Sequence, residues 1–163
     1  MPRPTLIVGD VQGDYERLLE ALAPYPEAEV ETIFLGDFFQ GGRLGAAGGA
    51  AAARIARSRK HSQYVLGNHD LFLLAMLEYL RIGKPARVPW GKRSGKWFEE
   101  TWVSRRGDWA DVDAVARDPD LESWLRSLPF MVTLSDGTLV QHSDTDAYAR
   151  LGSSVEEVNS KVR

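Results

Sequence analysis

Three apolar runs in this chain end in glycine followed by a polar residue: Gly9-Asp10, Gly36-Asp37 and Gly67-Asn68. A fourth ends at His142. Carboxylate, amide and imidazole groups suit divalent cations, and with no cysteine in the chain no thiolate can compete for them. Two such ions a few ångströms apart need a bridging carboxylate and further oxygen or imidazole ligands. Together they can clamp a phosphoryl group and acidify a water molecule. Asp10, Asp37, Asn68 and His142 are therefore candidate metal ligands, with Asp37 the natural bridge because it follows the middle strand in chain order. His69, inside Gly67-Asn68-His69-Asp70, is placed to protonate a departing oxygen. Each residue also has a plainer reading. The acids and Asn68 could cap turns or helices, and the histidines could be satisfied core residues.

The elements that would position these groups follow from the hydrophobic pattern. Thr5–Val8, Thr32–Leu35 and Tyr64–Leu66 read as strands, the first of them buried because it shows no polar alternation. Asp14 is placed to cap a helix carrying Leu18, Leu19 and Leu22, which Pro24 and Pro26 end. An alanine-rich helix is expected from about Leu44 to Arg59, and a strong one from Asp70 to about Ile82. Strand-then-helix units in succession imply parallel strands, whose carboxyl ends gather ligands. Leu121–Leu128 reads as a short helix. The segments flanking Asp136-Gly137 read as a β-hairpin that delivers His142. A polar, partly helical tail follows to Arg163.

The chain of 163 residues, 44% hydrophobic and 26% charged, fits one globular domain over 1–163, with a mainly helical insertion at about 83–127. Trp90, Trp97, Trp102 and Trp109 fall in that insertion, where packing explains them better than a substrate-facing aromatic surface. The net charge of −3 argues against a general nucleic-acid binder, and no specific nucleic acid is expected. Eight basic residues between Arg81 and Arg106 face two acids, Glu99 and Glu100; six acids follow between Asp108 and Glu122. Three readings stay open for the basic stretch: a solvated face, the border of a cleft that draws in a phosphorylated substrate, or RNA binding, for which the aromatics lack a recognisable module pattern. No apolar run approaches the ~20 residues that span a bilayer, so no membrane partner is expected. With no signal-peptide pattern at the start, the expected location is cytoplasmic.

Gly9-Asp10-Val11-Gln12-Gly13-Asp14, Gly36-Asp37-Phe38-Phe39-Gln40-Gly41-Gly42 and Gly67-Asn68-His69-Asp70 resemble the signature blocks of the calcineurin-like metallophosphoesterases. Leu139-Val140-Gln141-His142 resembles the strand that ends in a metal-binding histidine in the serine/threonine protein phosphatases and diadenosine tetraphosphate hydrolases, the branch this chain is most similar to. The resemblance implies an α/β fold, a β-sheet sandwich flanked by helices. It also implies two divalent ions (manganese, iron or zinc) and direct hydrolysis of a phosphoprotein, nucleotide or small phosphoester. Asp10 would hold the first metal, Asp37 would bridge, and Asn68 and His142 would hold the second. His69 would be the general acid and, with Asn68, would contact the substrate.

The departures qualify that expectation. Gln12 stands where the family has a histidine ligand, so it would be a weak neutral ligand at best. Gln40 stands where an aspartate would support the catalytic histidine, and Gly41 where an arginine would grip phosphate. A further metal-binding histidine and closing strands would normally follow the residues that end here. The expectation is thus a sandwich lacking its C-terminal strands, with one weak metal site, impaired activity and a tendency to form homo-oligomers. The alternative is a degenerate homologue that binds metal or a phosphorylated ligand, or serves as an interaction domain. Asp144 is a candidate replacement ligand, against a capping role; His61 reads as a solvated helix end.

Overall fold

In the computed structural model, which describes residues 3–88 and 93–161, the first two apolar runs and the residues leading into the third, whose Val65 and Leu66 fall beyond the strand, form a parallel sheet in the order β1-β2-β3. Trp90, Lys92 and Arg163 lie outside the described residues. The strands are β1 (Thr5–Val8), β2 (Glu31–Phe34) and β3 (Ser62–Tyr64). Helices α1 (Tyr15–Leu22) and α2 (Gly48–Ser58) make the crossovers between them, and α3 (Asn68–Arg81) follows β3. β2 is central, with Thr32, Ile33 and Phe34 fully buried. This puts Asp37 beyond the middle strand in space as well as in chain order.

β1 is not the buried strand its unbroken apolar run suggests. It lies at the sheet edge and its side chains alternate, Leu6 and Val8 half-buried, Thr5 and Ile7 exposed, Ile7 by 55%. Pairing on one side only removes the double cover that a central parallel strand receives.

The helix starts have clear physical causes. Asp14 accepts the Arg17 N–H at 3.1 Å and caps α1, which buries Leu18 and Leu22. α2 begins at Gly48 rather than near Leu44. The residues before it turn, with Ala47 left-handed at the N-cap. Its first N–H groups are satisfied from far along the chain: Asp108 accepts from Ala47, and Asp111 from Gly49 and Ala50. Desolvation pushes the buried Asp111 carboxyl up to about 6.

Between α3 and the hairpin run α4 (Gly95–Ser104), α5 (Trp109–Ala116) and α6 (Pro119–Ser127), capped by Ser94, Asp108 and Asp118. Phe72 of α3 stacks on Phe98 at 5.2 Å and meets Trp97 and Trp102 at 6.2 and 6.0 Å; Trp102 packs on Trp109. These tryptophans hold helices together, as the packing account expects. Among the described residues, three of the eight basic residues of this stretch make ion pairs: Arg81 with Glu78 and Glu122, Lys84 with Glu99, and Lys96 with Glu100.

The hairpin is β4 (Met131–Thr133) paired antiparallel with β5 (Leu139–Gln141), its turn closed by Leu134 and Thr138. Asn159 on α7 (Val155–Ser160) ties that helix to the start of β4, and a 3-10 turn, Asp146–Arg150, lies between β5 and α7. The Leu66 N–H donates to the Pro129 carbonyl at 2.7 Å, which brings the hairpin to the end of β3. The architecture is the expected helix-flanked α/β arrangement, with sheets of three and two strands among the described residues. Among those residues, no helix is long and apolar enough to cross a membrane.

Candidate metal centre

Close approach of the loops after β2 and β3 builds the centre. A Cβ on Gly36 would collide with the Gly67 backbone, and one on Gly67 with the Asp37 carboxylate, so neither position admits a side chain. Asp37 itself is left-handed, with φ of 51°. Its carbonyl accepts the N–H groups of Val11 and Gln12 at 3.1 and 2.8 Å, locking the loop after β1 to the loop after β2.

Asp70 secures the third loop. Its buried carboxylate accepts N–H groups from Asp37, Phe38 and Gly67 at 2.8, 2.8 and 3.0 Å. Desolvation, reinforced by the Asp37 charge, pushes its carboxyl up to about 7, against the pull of those hydrogen bonds. Sequence reasoning passed over this residue as a structural support. The available signal was its place at the third helical position of α3, where a carboxylate reaches back to the helix start.

Asp37 Oδ1 accepts the His69 N–H at 2.8 Å, so the N-terminus of α3 faces this carboxylate. Its Oδ2 lies 3.4 Å from His142 Nε2 and 3.8 Å from His69 Nε2. His142 is held through both ring nitrogens, Nδ1 at 2.7 Å from the Leu35 carbonyl and Nε2 at 2.9 Å from Asn68 Oδ1. The Leu35 contact places the Nδ1 proton and aims Nε2 into the cluster, as a metal-binding imidazole requires. Without a metal, the hydrogen bond to Asp37 pushes the His142 imidazole up to about 9. The supporting carbonyl of Leu35 left no trace in the sequence.

The structure therefore brings together Asp10, Asp37, Asn68, His69 and His142. Ligand atoms of Asp10, Asp37 and His142 all lie within 4.8 Å of one another, a partial metal-binding cluster, and Asn68 adds an amide oxygen beside it. This all-oxygen-and-imidazole set fits one divalent cation. It does not make two full sites. Gln12 sits beside Asp10, but it donates Nε2 to the Asp10 carboxylate at 3.4 Å, so that contact spends its donor end and not its oxygen. Asp144 is exposed and outside the cluster. His61, exposed, precedes β3 and so lies at the opposite end of that strand from Asn68.

The support expected around His69 is incomplete. His69 Nδ1 is buried with no hydrogen-bond partner, and so are both amide atoms of Gln40, a residue only 2% exposed. Two cavities flank the centre. One of about 850 Å³ adjoins Asp10 and Gln12; a smaller one of about 180 Å³ is lined by Gln40, Asn68, Phe72, Trp97, Thr101 and Arg105.

The family model of the calcineurin-like phosphoesterases matches residues 3–152, which include every candidate ligand. The chain belongs to this family. One solved crystal structure, of a protein provisionally described as a diadenosine tetraphosphatase, matches with 21% identity and a TM-score of 0.49. The match covers 82% of this chain and 47% of that one, so this chain spans about half the length of that protein. No curated protein sequence matches significantly. Phosphoester chemistry is the family-level expectation for the partial cluster just described.

Proposed function

We propose that the chain hydrolyses phosphoesters with the help of a bound divalent metal, using one firmly held ion and a second, weaker one. The observation that supports this most is the convergence of Asp10, Asp37, Asn68 and His142, with His69 Nε2 3.8 Å from the shared carboxylate. Manganese, iron or zinc suits this donor set. When bound, such an ion supplies Lewis acidity and lowers the pKa of water. The chain's own residues do the rest. Asp37 spans the cluster, Asn68 and His142 hold one side of it, and Asp10 with the weak ligand Gln12 holds the other. His69 contacts the substrate phosphoryl group with Asn68 and donates a proton from Nε2 to the leaving oxygen. The helical segment at about 83–127 is read as an insertion within one domain of residues 1–163, and the cytoplasm as its site of action.

A second reading, a weakly active homologue that mainly binds a phosphorylated ligand, draws on the unpartnered Gln40 amide and His69 Nδ1. With nothing to accept or donate at Nδ1, His69 is oriented less firmly than a histidine supported there by a carboxylate. Hydrolysis of an aryl phosphate with and without manganese separates the two. The enzyme reading expects metal-dependent turnover that His69→Ala lowers by about a hundredfold. Equal, metal-independent background in folded wild-type and variant chains would leave the binding reading. We also propose self-association at the β1 edge, where Ile7 is exposed; a stable monomer by light scattering over a wide concentration range would exclude it.

A further inference from the structure

Positive charge reaches the larger cavity from a place the glycine-rich loop does not hint at. Besides Asp10 and Gln12, that cavity is lined by Arg17, Arg43 and Arg106. Arg106 follows α4, and its backbone is fixed on every side. Its N–H donates to Val103 at 3.0 Å, its carbonyl accepts the Gly41 N–H at 3.2 Å, and the next residue, Gly107, packs against the ring of the fully buried Trp102. Its φ of 57° is a left-handed conformation that an arginine rarely takes without such support. The side chain spends one N–H on the Gly42 carbonyl at 3.3 Å. Among the described residues no carboxylate lies within ion-pair distance of Arg17, Arg43 or Arg106, in contrast to Arg81, Lys84 and Lys96.

The acids of this cavity are otherwise engaged. Asp10 belongs to the metal cluster, Asp14 caps α1, and Glu16 accepts the Tyr15 hydroxyl at 3.4 Å. Arg43 and Arg106, both on the Gly41–Gly42 side of the cavity, are thus two exposed guanidinium groups without ion-pair partners beside the candidate centre. Guanidinium groups bind oxyanions through forked, charge-assisted hydrogen bonds.

We propose that Arg43 and Arg106 form an oxyanion subsite beside Asp10, which seats a second anionic group of the substrate, phosphoryl or carboxylate, next to the phosphoester being cleaved. The proposal rests on the reading of the Asp10–Asp37–Asn68–His142 cluster as the reaction centre. A substrate with a neighbouring negative charge then binds better than a simple monoester, and Arg106 carries that preference although it is remote in sequence from the metal-binding blocks.

The test does not need turnover. Calorimetric titration of the metal-free chain with pyrophosphate and with malonate probes the subsite for each kind of oxyanion. Arg106→Gln should weaken the better-bound probe by about tenfold, the loss of one charged hydrogen-bond partner. Adding Arg43→Gln should weaken it further, and Arg106→Lys should restore part of it. Lys96→Gln, which removes the same charge away from the cavity, should change little. Circular dichroism melts confirm that each variant is folded. No binding of either probe by the wild-type chain, equal binding by the double variant, or an equal loss in Lys96→Gln would overturn the subsite. Because no metal or hydrolysis is involved, absence of metal-dependent turnover would defeat the hydrolase reading and leave this result intact.

Discussion

On one side of Asp37, His142 is fixed by the Leu35 carbonyl and the Asn68 amide, and the loop behind it is pinned by three N–H groups on Asp70. On the other side stand Gln12, turned to donate to Asp10, and Gln40, whose amide is buried without a partner; Gly41 offers no side chain at all. The loop after β2 borders both sides, with Leu35 on the first and Gln40 and Gly41 on the second, so the difference lies in the side chains it and its neighbours present. The first side has kept charged and imidazole groups whose partners are in place. The second has exchanged such groups for neutral amides, which bind metals weakly and orient a histidine less firmly. A partial centre can therefore stand on loops that are themselves firmly bonded.

The comparison breaks most visibly at its shared residue. Asp37→Asn should lower metal-dependent hydrolysis of an aryl phosphate by about a thousandfold or more, since ligand charge and transition-state stabilisation go together. A loss no greater than that of Gln12→Ala would make the two sides equivalent.

Asp70 tests the scaffold of the firm side. Asp70→Ala strands three buried N–H groups and should cost about 3 kcal/mol in denaturant unfolding. Its pair, Gln40→Met, removes an amide that makes no hydrogen bond, and should be neutral or stabilising by about 1 kcal/mol.

The proton on His142 sharpens the comparison through pH. Its folded-state value is raised to about 9 from 6.5, so its contribution to metal-free stability is full below 6.5 and is lost as pH rises through about 9. A metal must displace that proton. Affinity at the firm site should therefore climb by about tenfold per pH unit across this range and level off above it. A flat profile would mean that His142 is not a ligand.

The smallest expected gain is on the weak side. Gln12→His, Gln40→Asp and Gly41→Arg together should raise metal-dependent turnover by about tenfold or more, assayed at steady state with manganese. No gain would show that the amides do not limit the reaction.

Much of this contrast was legible in the sequence. The strand-Gly-polar repeats placed Asp10, Asp37 and Asn68 at neighbouring strand ends, and the Asp136-Gly137 turn accounted for His142 reaching them. What stayed hidden depended on contacts distant along the chain. β1 shows a wholly apolar pattern, yet its exposure is set by which strands pair with it. α2 starts late because its caps, Asp108 and Asp111, lie about sixty residues away, beyond any local signal. Arg106 was one of a run of basic residues with no mark to separate it from Arg81 or Lys96, which are paired. The Gln12 and Gln40 exchanges were visible, but that Gln40 would be left with no partner was a matter of packing.

Titration of the metal-free chain with manganese, followed by calorimetry and elemental analysis, tests the central claim most directly. The account predicts one firmly bound ion per chain, retained in Gln12→Ala and lost in His142→Ala, with a second ion only at high added metal. Two ions held equally tightly, or firm binding that survives His142→Ala, would contradict it.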